Sequence, residues 1–196
     1  MGKHGEMLWL FANGLDNSPV KHKDEETKLK SVGNSTTTSR DLVNNKDVKT
    51  VFRVLCESVS TRMREQGLKG KTITIWVRDN KLGSFTRQKR MKAYTDISTE
   101  LLDSAMELFL NNYDWSFKIR SLGVSVSDFD FECEQFDFAK SVEKRDKLEK
   151  IEIAVDDLKR RFGNYCVVRA CQLYDKELSG FNPHDEHIIH PIGFFA

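Results

Sequence analysis

The sequence predicts an α+β fold: a ferredoxin-like β-α-β-β-α-β arrangement, in which a four-stranded sheet carries two helices on one face, with helical extensions at both ends. Three observations predict it. Two segments with apolar residues at helical spacing, 48–63 and 101–109, lie among segments of β-branched and alternating residues. The large aliphatic residues of the alternating segments keep to one parity, so the sheet has one face for the helices and one without them. Glycine or a short polar turn marks the junctions.

The elements follow in order. Residues 6–13 read as a helical fragment closed by Gly14 and a turn at Pro19. It is too small to fold alone, so residues 1–20 are expected to be the end of a preceding domain. Eight of the ten residues 21–30 are charged or His, without a hydrophobic period. That predicts a solvated linker over 21–31, followed by a folded domain over 32–131. Thr36, Thr37 and Thr38 suit a first strand. Asn44 can cap the first helix, Asp47 sits near its positive end, and Val43 with Val48 can form a hydrophobic staple. Val48, Val51, Phe52, Leu55, Val59 and Met63 then recur on one face until Gly67.

The second strand, 72–78, puts Ile73, Ile75 and Val77 on one side and Thr74, Trp76 and Arg78 on the other. A turn at 79–84 leads to a strongly basic third strand, 85–93. On it Arg87 and Lys89 share a face, expected to be the open one, and Arg90 points the other way. The second helix has Ser98 as its cap, an Ile97–Leu102 staple, and Leu101, Ala105, Leu108 and Phe109 facing inward. The last strand, 119–128, turns Leu122, Val124 and Val126 to the core and Ser121, Gly123 and Ser125 away from it. Phe129, Phe131, Phe136 and Phe138 then alternate with acids. A helical tail over 140–196 opens with a long charged helix, 140–162, which carries a narrow apolar stripe of Leu148, Ile151, Val155, Leu158 and Phe162. A short amphipathic piece at 167–178 precedes the final residues.

Composition narrows the function classes. The 196 residues are 39% hydrophobic and 31% charged, enough for one ordinary domain with appendages. No stretch approaches the ~18 apolar residues of a membrane span, and no signal-peptide pattern opens the chain. Four scattered cysteines fit a reduced setting, so a cytoplasmic location without a membrane partner is expected. The net charge of +1 conceals a local excess: residues 62–94 hold ten Lys/Arg and two acids, whereas 128–139 hold five acids and no base. A basic patch of this kind suits a polyanion, although a solvated charged surface gives the same run.

Catalytic chemistry finds little support. No carboxylates converge at the end of a buried strand to hold Mg²⁺, and no glycine-rich phosphate loop is present. His184, His187 and His190 with Cys166 and Cys171 lack the spacing of a zinc site. The expected catalytic residues, metal site, cofactor and small-molecule substrate are therefore none. What remains is binding. A sheet face of Ser, Thr, Gly and cations, uncovered by helices, suits close approach to a phosphate backbone. Trp76 on that face can stack a base, or a neighbouring segment can cover it.

Several stretches carry a resemblance. Residues 11–20, Phe-Ala-Asn-Gly-Leu-Asp-Asn-Ser-Pro-Val, look like the last thumb helix and its exit in the Y-family (DinB/UmuC-type, ImpB/MucB/SamB) translesion DNA polymerases of low-GC Gram-positive bacteria. Residues 30–38, which begin Lys-Ser-Val-Gly, look like the first strand of that family's little finger, and 68–72 and 119–124 are similar to its second and fourth strands. The resemblance implies a module that lies along primer–template DNA and tracks both strands without reading sequence, as lesion bypass and the SOS response require. Carried over, Gly33, Asn34, Ser35, Thr36, Thr37 and Thr38 would touch one strand; Arg87, Lys89 and Arg90 with Arg120 and Ser121 would touch the other, and Arg78 lies on the same expected face. The segment 132–139 contains Gln135, Phe136 and Phe138, which resemble the family's sliding-clamp peptide, except that the leucines are Phe136 and Phe138 and the final Phe is Ala139. The resemblance also implies that the parent polymerase uses Mg²⁺ in a palm that lies upstream and is absent from this chain, which should therefore be inactive alone. The alternatives left open are a standalone clamp-binding regulator of DNA repair without a DNA grip, and a single-strand RNA binder. The third strand, Ser84-Phe85-Thr86-Arg87-Gln88-Lys89-Arg90, lacks the basic-Gly-aromatic signature of the RNA class.

Overall fold

The computed structural model describes residues 2–17, 19, 29–130 and 142–183. In chain order the elements are α1 (Gly2–Ala12), β1 (Ser31–Leu42), α2 (Asn45–Glu65), β2 (Lys69–Asp79), β3 (Ser84–Thr95), α3 (Ser98–Asn112), β4 (Ile119–Asp130), α4 (Val142–Phe162), a 3₁₀ turn (Ala170–Tyr174) and α5 (Lys176–Ser179). The predicted β-α-β-β-α-β order is present, with longer strands than the sequence pattern suggested. The four strands form one antiparallel sheet in the order β1-β4-β2-β3. Both β-α-β units are split, since β4 lies between β1 and β2, and β2 lies between β3 and β4.

Alternation makes the core. Val32, Ile73, Ile75, Val77, Leu122, Val124 and Val126 of the sheet meet Val48, Phe52, Leu55, Val59 and Met63 of α2 and Leu101, Leu102, Ala105 and Phe109 of α3, all of them buried. Phe52 and Phe109 touch edge to face, with centroids 6.3 Å apart, at the seam between the two helices.

Helix α2 starts where the sequence places it. The Asn44 Oδ1 accepts from the backbone N–H groups of Lys46 and Asp47, both at 2.9 Å. Gly67, with φ of 65°, ends the turn that follows. The expected Val43–Val48 staple is not formed, because Val43 is 52% exposed. The Asp47 carboxylate fixes that approach instead, accepting from the Val43 N–H at 3.2 Å and pairing with Arg40 at 2.9 Å.

Two further expectations are corrected. Ser98 is the first residue of α3 rather than its cap, and Ile97, at the cap position, makes no side-chain cap bond. The cap comes from α4: the Glu152 carboxylate, 5% exposed, accepts from the Ser98 backbone N–H at 3.0 Å and from its hydroxyl at 2.5 Å. The same carboxylate pairs with Arg64 at 2.5 Å and with Arg169 at 3.4 Å. Arg64 also holds Asp156 at 2.6 Å, Arg145 holds Glu100 at 2.9 Å, and Lys69 pairs with Glu149. α4 therefore docks through its charged face. Its apolar stripe does not face inward: Ile151 and Phe162 are 56% and 67% exposed. The amphipathic piece expected at 167–178 is divided between the 3₁₀ turn and α5, whose Leu178 joins the core. α1 buries none of its residues.

Candidate nucleic-acid interface

The sheet register defines the face that α2 and α3 leave uncovered. It consists of four rows across the strands β1, β4, β2 and β3: Ser31–Ser127–Thr72–Arg90, Gly33–Ser125–Thr74–Gln88, Ser35–Gly123–Trp76–Thr86, and Thr37–Ser121–Arg78–Ser84. Ten of these sixteen positions are Ser or Thr, and the two charged ones are both arginine. Such a surface offers hydroxyl donors and cations, with no carboxylate in the rows to repel an anion.

Two glycines bring the strands close. A Cβ at Gly33 would stand 2.6 Å from the Ser125 Cβ, and one at Gly123 would stand 3.0 Å from the Ser35 Cβ. Side chains there would raise this face and separate β1 from β4. The Thr37 and Ser121 hydroxyls bond to each other at 3.0 Å beside Arg78. Among the described residues nothing holds the Arg78 guanidinium by a hydrogen bond or ion pair. Arg90 is loosely tied to Asp128 at 3.6 Å. At the Arg78 end the face deepens into a cleft of about 400 Å³, lined by Thr37, Asp41, Arg78, Asp79, Arg120 and Ser121. Its two acids are engaged. Asp79 accepts from the N–H groups of Lys81 and Gly83 in the hairpin, and Asp41 accepts from the Asn80 amide.

Of the residues singled out in the sequence, Gly33, Ser35, Thr37, Arg78, Arg90 and Ser121 come together on this face. Arg120 sits at the irregularity between Ile119 and Ser121, donating to the Ser39 carbonyl at 3.3 Å. Asn34, Thr36 and Thr38 alternate to the helix side. The Asn34 amide donates to the Ser58 hydroxyl at 3.0 Å, and the Thr38 hydroxyl donates to the carbonyls of Arg40 and Arg120 at 2.7 and 3.0 Å. Arg87 and Lys89 do not share the open face. They stand opposite Ile75 and Ile73, on the parity of Phe85, where Arg87 donates to Asn112 at 3.0 Å and Lys89 pairs with Glu107 at 2.5 Å. Gln135, Phe136 and Phe138 lie outside the described residues, as do His184, His187 and His190. Thr72, Ser84, Thr86, Gln88 and Ser127 complete the face and were missed in the sequence; extending the alternation of Thr74 and Trp76 along the paired strands would have found them.

The sequence matches the impB/mucB/samB family C-terminal domain over residues 29–138. The chain belongs to this family. All six elements of the β-α-β-β-α-β unit fall inside the matched residues, and α4 lies beyond them. Among curated relatives, a DNA polymerase IV of Acetivibrio thermocellus is 42% identical over 181 residues, covering 91% of this chain and 45% of the relative. A DNA polymerase IV 2 of Halalkalibacterium halodurans is 32% identical, covering 86% of this chain and 41% of the relative. The chain thus spans less than half the length of these curated relatives. Among solved structures, a little finger domain of PolIV in complex with a beta-clamp processivity factor is similar to 55% of this chain and is itself 96% covered, at a TM-score of 0.44 and 14% identity. A Dbh–Dpo4 Y-family polymerase chimera is similar over 67% of this chain and 36% of its own length, at a TM-score of 0.45 and 16% identity.

Proposed function

We propose that the chain is the duplex-gripping little finger of a translesion DNA polymerase, holding primer–template DNA through its phosphates without sequence readout. The observation that carries this reading is the open sheet face, where ten hydroxyl residues and two glycines surround Arg78 and Arg90. Hydroxyl and guanidinium groups on a close-packed surface can bond phosphate oxygens, and they carry no pattern matched to base edges. Arg120 at the end of the face adds a third cation. Arg87 and Lys89, turned to the helix side, contribute long-range attraction at most. We place nucleotidyl transfer and its Mg²⁺ in the part of the relatives that this chain does not span, so the chain alone should not extend a primer.

The grip is tested by salt titration of duplex binding. Removing one cation that neutralises a phosphate should lower the slope of log K against log salt by roughly 0.9. Arg78→Ala with Arg90→Ala should lower it by nearly two such steps, equally for unrelated sequences, while Arg87→Ala with Lys89→Ala should change it less. Equal slopes for all three proteins would overturn the assignment to this face.

We further propose that Gln135, Phe136 and Phe138 form the clamp-binding peptide. The reading is supported by their similarity to the family's peptide. Replacing the three together by Ala should abolish clamp association and leave duplex affinity unchanged. Loss of both would mean that these residues maintain the fold.

A further inference from the structure

The open face holds one aromatic side chain among its sixteen positions, and it stands near the centre. Trp76 lies on β2, between Thr86 of β3 and Gly123 of β4, with Thr74 and Arg78 along its own strand on the same side. The indole leans over β4: a Cβ at Gly123 would lie 3.4 Å from the Cε3 atom of the ring, so the absence of a side chain there gives the ring its seat. Trp76 is half-buried, and among the described residues its indole N–H has no hydrogen-bond partner. A large apolar side chain on a face otherwise made of hydroxyls and cations is not needed for a phosphate grip, and it packs against nothing in the hydrophobic core.

An aromatic plate bordered by hydroxyls and an arginine fits a flat π-system with a polar, anionic periphery, which is the chemistry of a nucleotide. A base inside a duplex cannot use it, because both its faces are stacked on neighbours and only its edge is shown to the groove. We infer that Trp76 stacks an unpaired nucleobase, either extruded from the helix or in a single strand beside it, while Arg78 and the surrounding hydroxyls hold the flanking phosphates. This inference rests on reading the open face as the DNA surface. It adds a contact that responds to the pairing state of the DNA and not to its sequence.

The test uses two labelled duplexes of identical sequence, one carrying a single extra unpaired nucleotide mid-strand, titrated by fluorescence anisotropy. Removing one base–aromatic stack weakens binding by about tenfold. The parent chain should therefore bind the bulged duplex about tenfold more tightly than the paired one. Trp76→Ala should bind both equally, at the parent's affinity for the paired duplex, and Trp76→Phe should keep much of the preference. Equal binding of the two duplexes by the parent, or a preference that survives Trp76→Ala in a chain that melts like the parent, would overturn the inference and leave the phosphate grip standing. If the parent binds neither duplex, the grip itself fails. Trp76 is then judged in a Trp9→Phe, Trp115→Phe chain, where it is the remaining one of three tryptophans. Quenching of its fluorescence by a short single-stranded oligonucleotide supports stacking, and unchanged emission excludes it. The same measurement decides the matter if Trp76→Ala does not fold.

Discussion

Glu152 joins three parts of the molecule with one carboxylate. It satisfies the first N–H of α3, neutralises Arg64 on α2 and reaches Arg169 in the segment beyond α4. Both charges of the Glu152–Arg64 pair are largely removed from water, with side chains 6% and 10% exposed. Removing one partner of a buried pair leaves the other charge uncompensated, at a cost of about 3 kcal/mol or more. Glu152→Ala should therefore lower stability by about that much in urea titration, whereas Asn44→Ala, which removes only an exposed helix cap, should cost about 1 kcal/mol. Equal small losses would show that the Glu152 cluster is solvated. Asp96 presents the opposite case. Burial raises its carboxyl above the ordinary 3.8, against the pull of Lys69 and Arg64, and its Oδ1 has no partner among the described residues. The folded chain then holds this proton more tightly than the unfolded chain does. Asp96 thus opposes folding above its folded pKa, and the opposition fades as pH falls toward the unfolded value. Asp96→Asn should melt at a higher temperature than the parent at pH 7, with the gap closing toward pH ~4; a constant gap would point to packing instead of charge.

At the scale of elements, most of the strands and helices were legible, because alternation and helical spacing report directly which side chains leave water. Ile73, Ile75 and Val77, and Leu122, Val124 and Val126, all reached the core as their parity required. The third strand was misread for a physical reason. β3 is the edge strand beside α3, so long cations can occupy its inward positions, reach Asn112 and Glu107 of that helix and still carry their charge to solvent. Phe85 was the available signal, since it shares the parity of Arg87 and Lys89 and packs beside the core. The long helix was legible as a helix, but its orientation was not. A stripe of Leu148, Ile151, Val155, Leu158 and Phe162 normally marks the buried face of a helix. Here the N-terminus of α3, the Arg64 guanidinium and the Lys69 ammonium demand carboxylates, and Glu152, Asp156 and Glu149 turn that way instead. Periodicity contains no record of such a demand. Screening the network with salt should loosen α4 before the sheet, so hydrogen exchange at residues 145–159 should quicken between low and high salt while β2 and β4 stay protected. Uniform behaviour of both regions would contradict this docking mode.

For the whole molecule, the net charge of +1 describes neither side. Among the described residues the helix side is a mosaic of paired charges, whereas the open face carries unpaired or loosely paired arginines among hydroxyls. The sequence located the basic excess at residues 62–94 but could not divide it between faces, because that division depends on strand register. The central claim, that the uncovered sheet face grips duplex DNA, is tested most directly by following backbone amide and indole N–H NMR shifts while a short paired duplex is added. The account predicts shifts concentrated at Ser35, Thr37, Trp76, Arg78, Gly123 and Ser125, with α2 and α3 unmoved. Shifts confined to α2, α3 and α4, with the four rows of the open face unchanged, would contradict it.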